Sequence, residues 1–380
     1  MTEETTLYNC GNPVYPVSLD CLLKLTVEKK GSDLHLVAGA PPAIRINGEL
    51  EAQGFPALKP DDLQCILDSA IGPEQQEELR RELELDFAYS LPGISRFRGN
   101  IMRQRGSLAM VFRAVPYNVP NIDSLGLPEE IKKLCYLTRG IILVTGPTGS
   151  GKSTTLAAMI DLINSTRSMN IVTIEDPIEY LHKHKLSSIR QREIGSDTRS
   201  FSNALRHVLR HDPDVILIGE MRDMESISIA LTAAETGHLV FSTLHTQTAP
   251  LTISRIVDVF ESHKRDQIRQ QLANSLRAVI SQQLVPKRDL KGRAAAVEFM
   301  TDSQAVRSLI REGKEHQLYS AIQTGHSSGM QTMDLALVKL YQAGVITKDI
   351  AQEYCVDRIE LERMMPSHGF SSMTAAQWRE

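Results

Sequence analysis

The sequence predicts an α/β protein of two domains, in which an α+β domain precedes a larger domain built on a mostly parallel sheet. Length is the first observation, because 380 residues are more than one average domain holds. The second is that short helices and hairpin-forming strands fill the first third, whereas from Ile131 onward apolar strands alternate with helices. Strands that are apolar on both faces are typical of a parallel sheet covered by helices.

The N-terminal domain is predicted to span residues 1–114. Ser18 is placed to cap a first helix, which Gly31 ends. A strand at Asp33–Val37 follows, and Asn47–Gly48 indicates a hairpin turn. Further along, helices are predicted at Asp61–Ala70 and Glu74–Glu84, and β-hairpins over Asp86–Arg113, with breaks at Pro92–Gly93 and Gly106. Together these elements predict an α+β domain of ordinary size.

A linker is predicted at residues 115–128, because Pro116, Pro120, Gly126 and Pro128 leave few residues able to sustain an element. The second domain is then expected to span residues 129–366 and to end in several helices. Residues 367–380 are polar and are expected to form a flexible tail.

The second domain is predicted to alternate strands and helices. The predicted strands are Ile141–Thr145, Asn170–Ile174, Asp214–Ile218, Leu239–Thr243 and Ala295–Met300. The predicted helices are Ser153–Ile163, Phe201–Leu209, Met224–Glu235, Gln304–Ile310 and Thr332–Ala343. In an open parallel sheet, ligands bind at the carboxyl ends of the strands.

Composition excludes several classes of protein. Hydrophobic residues make up 42% and charged residues 23% of the chain, which is ordinary for a globular protein. A net charge of -4 argues against a nucleic-acid coat. The start of the chain lacks the pattern of a signal peptide, and the apolar stretches are strand-sized, so a cytoplasmic protein is expected. Five scattered cysteines, Cys10 among them, form no CxxC pair and indicate neither a disulfide framework nor a zinc site.

The segment Gly146–Ser153 fits the phosphate-binding pattern GxxxxGK[ST] between a buried strand and a helix. Its glycines let backbone N–H groups approach phosphate, and the start of the helix favours negative charge. We expect Lys152 to contact the β- and γ-phosphates of ATP and Ser153 to bind Mg²⁺. The predicted nucleotide-binding residues are Gly146, Pro147, Thr148, Gly149, Ser150, Gly151, Lys152, Ser153 and Thr154. The alternative is a glycine-rich turn with an incidental lysine, which this context disfavours.

Two glutamates follow buried strands, Glu175 after Ile171–Ile174 and Glu220 after Val215–Ile218. Their strand ends should bring both carboxylates beside the phosphate-binding loop. One can then polarise the attacking water, and the other can hold Mg²⁺ through a water molecule. We assign Glu175 as the base and Glu220 as the Mg²⁺ and water ligand, although spacing alone leaves the two roles interchangeable.

Two histidines, His238 and His245, flank the predicted strand Leu239–Thr243. Seven residues apart, they would lie on opposite faces of a strand and cannot share a metal ion. Either could sense the γ-phosphate by hydrogen bonding, and each is also typical of a structural histidine.

Four blocks together resemble the secretion and type IV pilus ATPase superfamily. GPTGSGKST resembles its Walker A box, IVTIEDPIEY its Asp box, DPDVILIGEMRD its Walker B box and TGHLVFSTLHT its His box. The similarity runs from Ser32 to Thr332. It implies a hexameric ring of subunits, each with a PAS-like N-terminal domain and a RecA-like ATPase domain, and with ATP between the domains near the next subunit.

Four arginines resemble the phosphate-contacting arginines of that superfamily. They are Arg98 and Arg113 of the N-terminal hairpins, and Arg206 and Arg210, one helical turn apart. A guanidinium group stabilises the charge on a transferring phosphoryl group well. Other arginines of the same hairpins, such as Arg96, Arg103 and Arg105, can equally be solvated surface charges.

Within the superfamily the chain is most similar to the motors that retract type IV pili. Ala305–Gly313 resembles their C-terminal retraction motif, with departures at Val306 and Ser308, and the tetracysteine module of assembly motors is absent. The long tail resembles that of accessory retraction ATPases, so principal and accessory motor both stay open. The resemblance implies an inner-membrane pilus platform protein as partner, a sister retraction or assembly ATPase, and docking at the cytoplasmic face of the inner membrane.

Two other functions are compatible with a P-loop chain. A nucleic-acid translocase is disfavoured by the acidic net charge and by the lack of a basic stripe with interleaved aromatic residues. A non-catalytic ATP-binding regulator is disfavoured by the complete set of predicted phosphate-site residues.

Overall fold

The computed structural model describes residues 18–115, 119–289 and 291–365. The predicted tail, residues 367–380, lies outside them, as do Cys10 and Pro116. The chain divides into two compact units, and the division between Val119 and Pro120 falls within the stretch predicted as linker. The first unit contains Met1–Val119, Pro177–His182 and Glu193–Arg199, and the second contains Pro120–Asp176, Lys183–Arg192 and Ser200–Glu380.

The first unit therefore includes two segments that the sequence interpretation gave to the second domain. Their attachment has a physical basis in Glu193, which is 4% exposed. One of its carboxylate oxygens accepts a hydrogen bond from the Ile178 backbone at 3.0 Å. The other lies 3.2 Å from an Arg96 guanidinium nitrogen. Leaving this buried carboxylate without partners would cost free energy, so its ion pair with Arg96 keeps both segments packed with the first unit.

The first unit is an antiparallel sheet with helices packed on one face. Its helices are α1 (Leu19–Glu28), α2 (Pro60–Ala70) and α3 (Pro73–Glu82). Its strands are β1 (Asp33–Val37), β2 (Ala43–Ile46), β3 (Glu49–Ala52), β4 (Glu84–Leu91), β5 (Ser95–Gln104) and β6 (Ser107–Val115), in the order β3-β2-β1-β6-β5-β4. Ser18 caps α1 as predicted, because its hydroxyl accepts a hydrogen bond from Cys21 N at 3.3 Å. Positive φ angles at Asn47 and Gly48 confirm the predicted hairpin turn.

The second unit contains a seven-stranded sheet covered by helices. Its strands are β7 (Gly140–Thr145), β8 (Asn170–Glu175), β9 (Ser188–Glu193), β10 (Val215–Ile218), β11 (Leu239–Leu244), β12 (Leu276–Pro286) and β13 (Arg293–Thr301), in the order β13-β12-β7-β11-β10-β8-β9. Its helices are α4 (Glu130–Leu134), α5 (Lys152–Thr166), α6 (Phe201–Val208), α7 (Met224–Glu235), α8 (Ala249–Asp258), α9 (Arg265–Ser275), α10 (Gln304–Arg311), α11 (Leu318–Thr324), α12 (Met333–Gln342), α13 (Lys348–Tyr354) and α14 (Arg358–Met364). None of the described helices is long and apolar enough to cross a membrane.

The predicted parallel sheet is confirmed. Strands β12, β7, β11, β10 and β8 pair in parallel, and β13 pairs with β12 in antiparallel orientation. Every residue of β7, β10 and β11 is buried, as expected of strands covered on both faces.

Two strands were missed by the sequence analysis, β9 and β12. The sequence of β12, LRAVISQQLVP, carries three consecutive polar residues in its middle and gives no clear apolar period. Yet Ser281 and Gln282 are 0% and 3% exposed. They are buried because β12 lies between β7 and β13, where polar atoms are satisfied by hydrogen bonds rather than by water.

A buried carboxylate joins the sheet to the start of a helix. Glu298 of β13 is 0% exposed, and its Oε1 accepts a hydrogen bond from Ala249 N, the first residue of α8, at 2.6 Å. Burial raises the pKa of Glu298 to about 7, against the opposing effect of the Ala249 and Met333 backbone N–H groups. The nearby Asp334 carboxylate raises this pKa further.

The raised pKa of Glu298 predicts a pH-dependent stability. A proton binds more tightly to Glu298 in the folded than in the unfolded chain, so its contribution to stability is complete below about pH 4.5 and is lost as the pH rises to about 7. Glu298→Gln imitates the protonated carboxyl group and should not have this dependence. We expect the melting temperature of Glu298→Gln, relative to wild type, to rise between about pH 5 and pH 7.

Thermal unfolding of the two proteins across this pH range measures the effect. Glu353→Gln, at an exposed position, is the matched control and should follow wild type. A constant difference between Glu298→Gln and wild type would contradict the role given to Glu298.

Candidate active site

The loop Gly146–Gly151 connects β7 to α5 and has three glycines with positive φ. They are Gly146, Gly149 and Gly151, with φ angles of 140°, 79° and 89°. Gly149 faces open space, whereas a Cβ atom at Gly146 would lie 2.2 Å from the Gln282 carbonyl oxygen. A Cβ atom at Gly151 would lie 2.7 Å from Gln282 Nε2. Glycine is therefore required at Gly146 and Gly151 because β12 approaches the loop closely there, whether or not a ligand is bound.

Lys152 is the first residue of α5 and is 8% exposed. Its ammonium group donates hydrogen bonds to the carbonyl oxygens of Gly146, at 2.7 Å, and Pro147, at 3.0 Å. The side chain thus folds back over the loop that precedes it. A buried ammonium group beside the N-terminal end of a long helix is an arrangement that favours bound anions.

Gln282 was missed by the sequence analysis, because a glutamine in a strand carries no motif of its own. Its Nε2 donates to Ser150 O at 2.8 Å, and its Oε1 accepts from Thr155 Oγ1 at 2.8 Å. Both partners belong to the loop or to α5. The nearby Ser150 Oγ is buried without a hydrogen-bond partner among the described residues, so the loop retains an unused donor.

The strand ends bring the two glutamates close together, as the sequence predicted. Gly219, between β10 and Glu220, lies against Glu175, and a Cβ atom there would be 3.3 Å from Glu175 Cα. Gly219 donates a backbone hydrogen bond to Ile174 O at 2.7 Å. The Thr243 hydroxyl of β11 donates to Gly219 O at 2.5 Å. The Gly-Glu ending of this strand is thus explained by close packing of neighbouring strand ends.

Glu220 lies between two side chains that bear or can acquire positive charge. Arg222 lies 2.7 Å from one carboxylate oxygen, and His245 Nε2 lies 3.1 Å from the other. Burial by itself raises the pKa of Glu220, but Arg222 and His245 outweigh burial and hold this pKa below its ordinary value. The lowered pKa makes the Glu220 carboxylate a weaker base, which suits a ligand of a metal ion or of water better than a general base. Arg222 was not among the predicted site residues.

Glu175 accepts hydrogen bonds from two side chains that differ from those around Glu220. Its Oε1 accepts hydrogen bonds from the Thr173 hydroxyl at 2.6 Å and from Gln191 Nε2 at 3.2 Å. Thr173 lies on the same strand, and Gln191 comes from β9, the edge strand that the sequence analysis missed. The two glutamates thus have different surroundings, although spacing in the sequence treats them alike.

The two histidines lie at opposite ends of β11. His245 follows the carboxyl end and contacts Glu220. His238 precedes the amino end, where its carbonyl group accepts a hydrogen bond from Gly140 N and its ring Nδ1 lies 3.0 Å from Ala233 O. Because β7 and β11 are parallel, His238 is at the far edge of the sheet from the phosphate-binding loop. The prediction that His238 senses the γ-phosphate is therefore wrong within one subunit.

The four predicted arginines fall into separate places. Arg98 and Arg113 lie directly opposite each other on β5 and β6 of the first unit. Arg113 also forms a 2.7 Å ion pair with Asp33. Arg206 of α6 pairs with Glu225. Arg210 is exposed and lies beyond the end of α6 at Val208, so the expected single helix carrying both Arg206 and Arg210 is not formed.

A cavity of about 390 Å³ adjoins the start of α5 within the second unit. Apolar side chains and two basic side chains contribute to its walls. Its lining includes Leu125, Thr154, Leu284, Lys287, Arg293 and Leu340. Among the described residues, no group of three or more His, Cys, Asp or Glu side chains is arranged to hold a metal ion. Protein side chains alone thus provide no metal cage here.

Comparison with known proteins gives consistent similarities. The family described as type II/IV secretion system proteins matches residues 94–312. The type IV pilus retraction ATPase PilT of Pseudomonas aeruginosa is 48% identical over 332 residues, which cover 87% of this chain and 96% of that protein. The type IV pilus ATPase PilU of the same organism is 40% identical over 344 residues, 90% of each chain. A crystal structure of the pilus retraction motor PilT with bound ADP shares 49% identity and a TM-score of 0.84, covering 91% of this chain and 99% of that one.

Gly219 offers a test of the geometry of the two glutamates. In Gly219→Ala, the new Cβ atom meets the Glu175 backbone, which cannot rotate away as a side chain could. We expect nucleotide binding to persist while turnover falls about tenfold or more, since small misplacements of catalytic groups are costly. Steady-state ATPase assays with ADP-binding measurements check this. Gly54→Ala, where an added Cβ atom meets nothing within 4 Å, should behave as wild type, and equal turnover in both variants would contradict the argument.

Proposed function

The chain belongs to the type II/IV secretion system family and, within it, to the type IV pilus retraction ATPases, and we propose that it is the hexameric motor that drives pilus retraction. The observation that carries this proposal is the placement of a P-loop lysine, two glutamates and His245 at the ends of neighbouring parallel strands. ATP turnover at this site would drive movement between the two units of each subunit.

In this proposal, different residues of the second unit have different roles in ATP hydrolysis. Lys152 and the loop N–H groups bind the β- and γ-phosphates. Glu175, which accepts hydrogen bonds from Thr173 and Gln191, accepts the proton of the attacking water. His245, whose Nε2 lies 3.1 Å from Glu220, contacts the γ-phosphate in this proposal. We place the nucleoside in the 390 Å³ cavity beside Thr154, where apolar walls suit a base and Lys287 and Arg293 suit an anion.

Magnesium fits this arrangement through Ser153 and Glu220. Ser153 is partly exposed in the first turn of α5, and Glu220 follows β10, which β11 separates from β7 in the same sheet. In nucleotide sites Mg²⁺ relies on phosphates, water and few protein ligands, so these two side chains would be enough to hold it. When bound, Mg²⁺ neutralises charge on the phosphates during transfer.

A principal motor is supported over an accessory one by the degree of similarity. The chain is 48% identical to PilT and 40% identical to PilU of the same organism. The segment that resembles the retraction motif also forms the expected helix, α10, with Val306 and Ile310 buried and Arg307 exposed. We infer that the exposed side of α10, which carries Arg307, contacts other parts of the pilus machine at the cytoplasmic side of the inner membrane. Such a partner would be a platform protein of the inner membrane or a sister ATPase.

Assembly into a ring would give Arg98 and Arg113 a function. Their positions opposite each other on adjacent strands concentrate positive charge, and Arg113 is 65% exposed despite its ion pair with Asp33. In a hexamer, such a pair can reach the nucleotide of a neighbouring subunit and stabilise the charge of the transferring phosphoryl group.

Pilus retraction is tested by deleting the gene and complementing it with wild type or Glu220→Gln. Loss of a positioned electrostatic group in phosphoryl transfer costs about a hundredfold in rate. We therefore expect Glu220→Gln to bind ATP but to hydrolyse it poorly, and Lys152→Ala to lose ATP binding. Cells with the deletion or with either variant should remain piliated and fail to twitch. Normal twitching after deletion would rule out the principal motor and leave the accessory one, and ordinary turnover by Glu220→Gln would overturn its assigned role.

Mixed rings test the arginines. Arg113→Ala and Lys152→Ala subunits should each be inactive alone, because one lacks the donated arginine and the other lacks the phosphate lysine. When they are mixed, some interfaces combine an intact arginine with an intact lysine, so ATPase activity should reappear and peak at intermediate ratios. Wild type mixed with Lys152→Ala serves as the dilution control. If the two inactive variants stay inactive at every ratio, Arg113 acts within its own subunit or only supports the fold.

A further inference from the structure

We propose that Gln282 of β12 is a positioning residue that holds the phosphate-binding loop in its nucleotide-accepting conformation. The inference rests on the proposed function, because it assumes that the loop binds the phosphates of ATP. It adds to the site a residue that acts through the loop backbone, and Gln282 also lines the cavity in which we place the nucleoside.

The side chain of Gln282 is 3% exposed and bonded at both ends of its amide. Nε2 donates to Ser150 O at 2.8 Å, and Oε1 accepts from Thr155 Oγ1 at 2.8 Å. Ser150 and Thr155 are themselves 3% and 1% exposed. Such buried bonds are costly to break, since water does not replace a lost partner there.

The orientation of this amide follows from the chemistry of its partners. Ser150 contributes a carbonyl oxygen, which only accepts hydrogen bonds, so the NH₂ end of Gln282 must face it. The oxygen end then faces Thr155, whose hydroxyl donates. A flipped amide would set its oxygen against the Ser150 carbonyl oxygen, so this carbonyl decides the orientation. The Thr155 hydroxyl then acts as a lock, because its hydrogen bond holds the Oε1 end of the amide in place.

Fixing the Ser150 carbonyl also fixes the next N–H group. In a trans peptide the C=O and N–H bonds point in opposite directions within one plane. Because Ser150 O points to Gln282, the Gly151 N–H points away from β12. We infer that the bound phosphates lie on this side of the loop, because an N–H group that precedes Lys152 at the start of α5 can donate to them. Without Gln282 this peptide would be free to rotate, since Gly151 has a φ of 89° and no side chain.

The close fit at two glycines supports the same role. Gly146 approaches the Gln282 backbone, and Gly151 approaches its side-chain amide, too closely for a Cβ atom at either position. Both ends of the loop are thus packed against a single residue of β12. Gln283, the next residue, is directed to the other face of the strand and makes no such contact with the loop.

The test replaces Gln282 by Met, which keeps the length of the side chain but cannot hydrogen-bond, and compares Gln283→Met as the control. An N–H group that binds phosphate equally before and during transfer contributes to binding and not to the chemical step. We therefore expect Gln282→Met to raise the Kd for ADP and the KM for ATP about tenfold, with kcat within about twofold of wild type. Gln283→Met should leave all three values unchanged.

A second variant, Thr155→Val, removes the lock but keeps the Gln282 amide. It should raise the Kd for ADP severalfold, and in the double variant the two effects should be less than additive, because both act through one hydrogen-bonded unit. Should Gln282→Met fail to fold, Thr155→Val compared with Gln283→Met decides the question. ADP binding is measured by calorimetry on the full-length protein, and melting temperatures are recorded alongside.

Three outcomes would overturn the inference. The first is an unchanged Kd for ADP in Gln282→Met. The second is a fall in the kcat of Gln282→Met at constant KM for ATP, which indicates loss of folded or catalytically competent protein. The third is that the effects of Gln282→Met and Thr155→Val on the Kd for ADP are fully additive. Failure of the proposed function is distinguished from these, because wild type itself would then not bind ADP. If wild type binds and all variants match it, the inference alone fails.

Discussion

The site depends on one constraint, which is that the parallel strands β7, β11, β10 and β8 end at the same edge of the sheet. Thr145 at the end of β7 pairs with Leu244 at the end of β11, and Ile218 at the end of β10 pairs with Ile174 of β8. Strands β7, β10 and β11 are buried and carry no charged residue, so Glu220 and His245 come only where β10 and β11 leave the sheet. A shift of one residue in any register would move a carboxylate by about 3.3 Å and turn it to the other face.

Charge within the site is balanced by neighbours of opposite sign. Arg222 and His245 hold the pKa of Glu220 below its ordinary value despite its burial, whereas burial and the nearby Asp334 carboxylate raise the pKa of Glu298, in the same unit, to about 7. The contrast follows from desolvation, which disfavours a charged carboxylate unless a positive group compensates it. Glu220, beside Arg222 and His245, and Glu175, which accepts hydrogen bonds from Thr173 and Gln191, therefore have different surroundings in which to perform different functions.

Burying polar atoms inside the sheet costs free energy, which hydrogen bonds offset here. Ser281 pairs with Thr145 across β12 and β7 at 2.9 Å, and Gln282 is bonded to the loop and to α5. A strand with these residues would be unstable in an apolar core, where their polar atoms would have no partners. It is stable here because the P-loop supplies backbone partners, so the loop and β12 each require the other.

The sequence by itself determined the two-domain division, most strands and helices, the phosphate-binding loop and the two strand-end glutamates. These features depend on local patterns: apolar runs, caps such as Ser18, and glycines at turns. Only the tertiary structure decided that β12 lies beside β7, that Gln282 and Arg222 join the site, and that His238 is at the wrong end of β11. It also decided that the segments Pro177–His182 and Glu193–Arg199 belong with the first unit. The physical reason is that these facts depend on partners far apart along the chain, such as Gln282 and Ser150, whose pairing leaves no local periodicity to read.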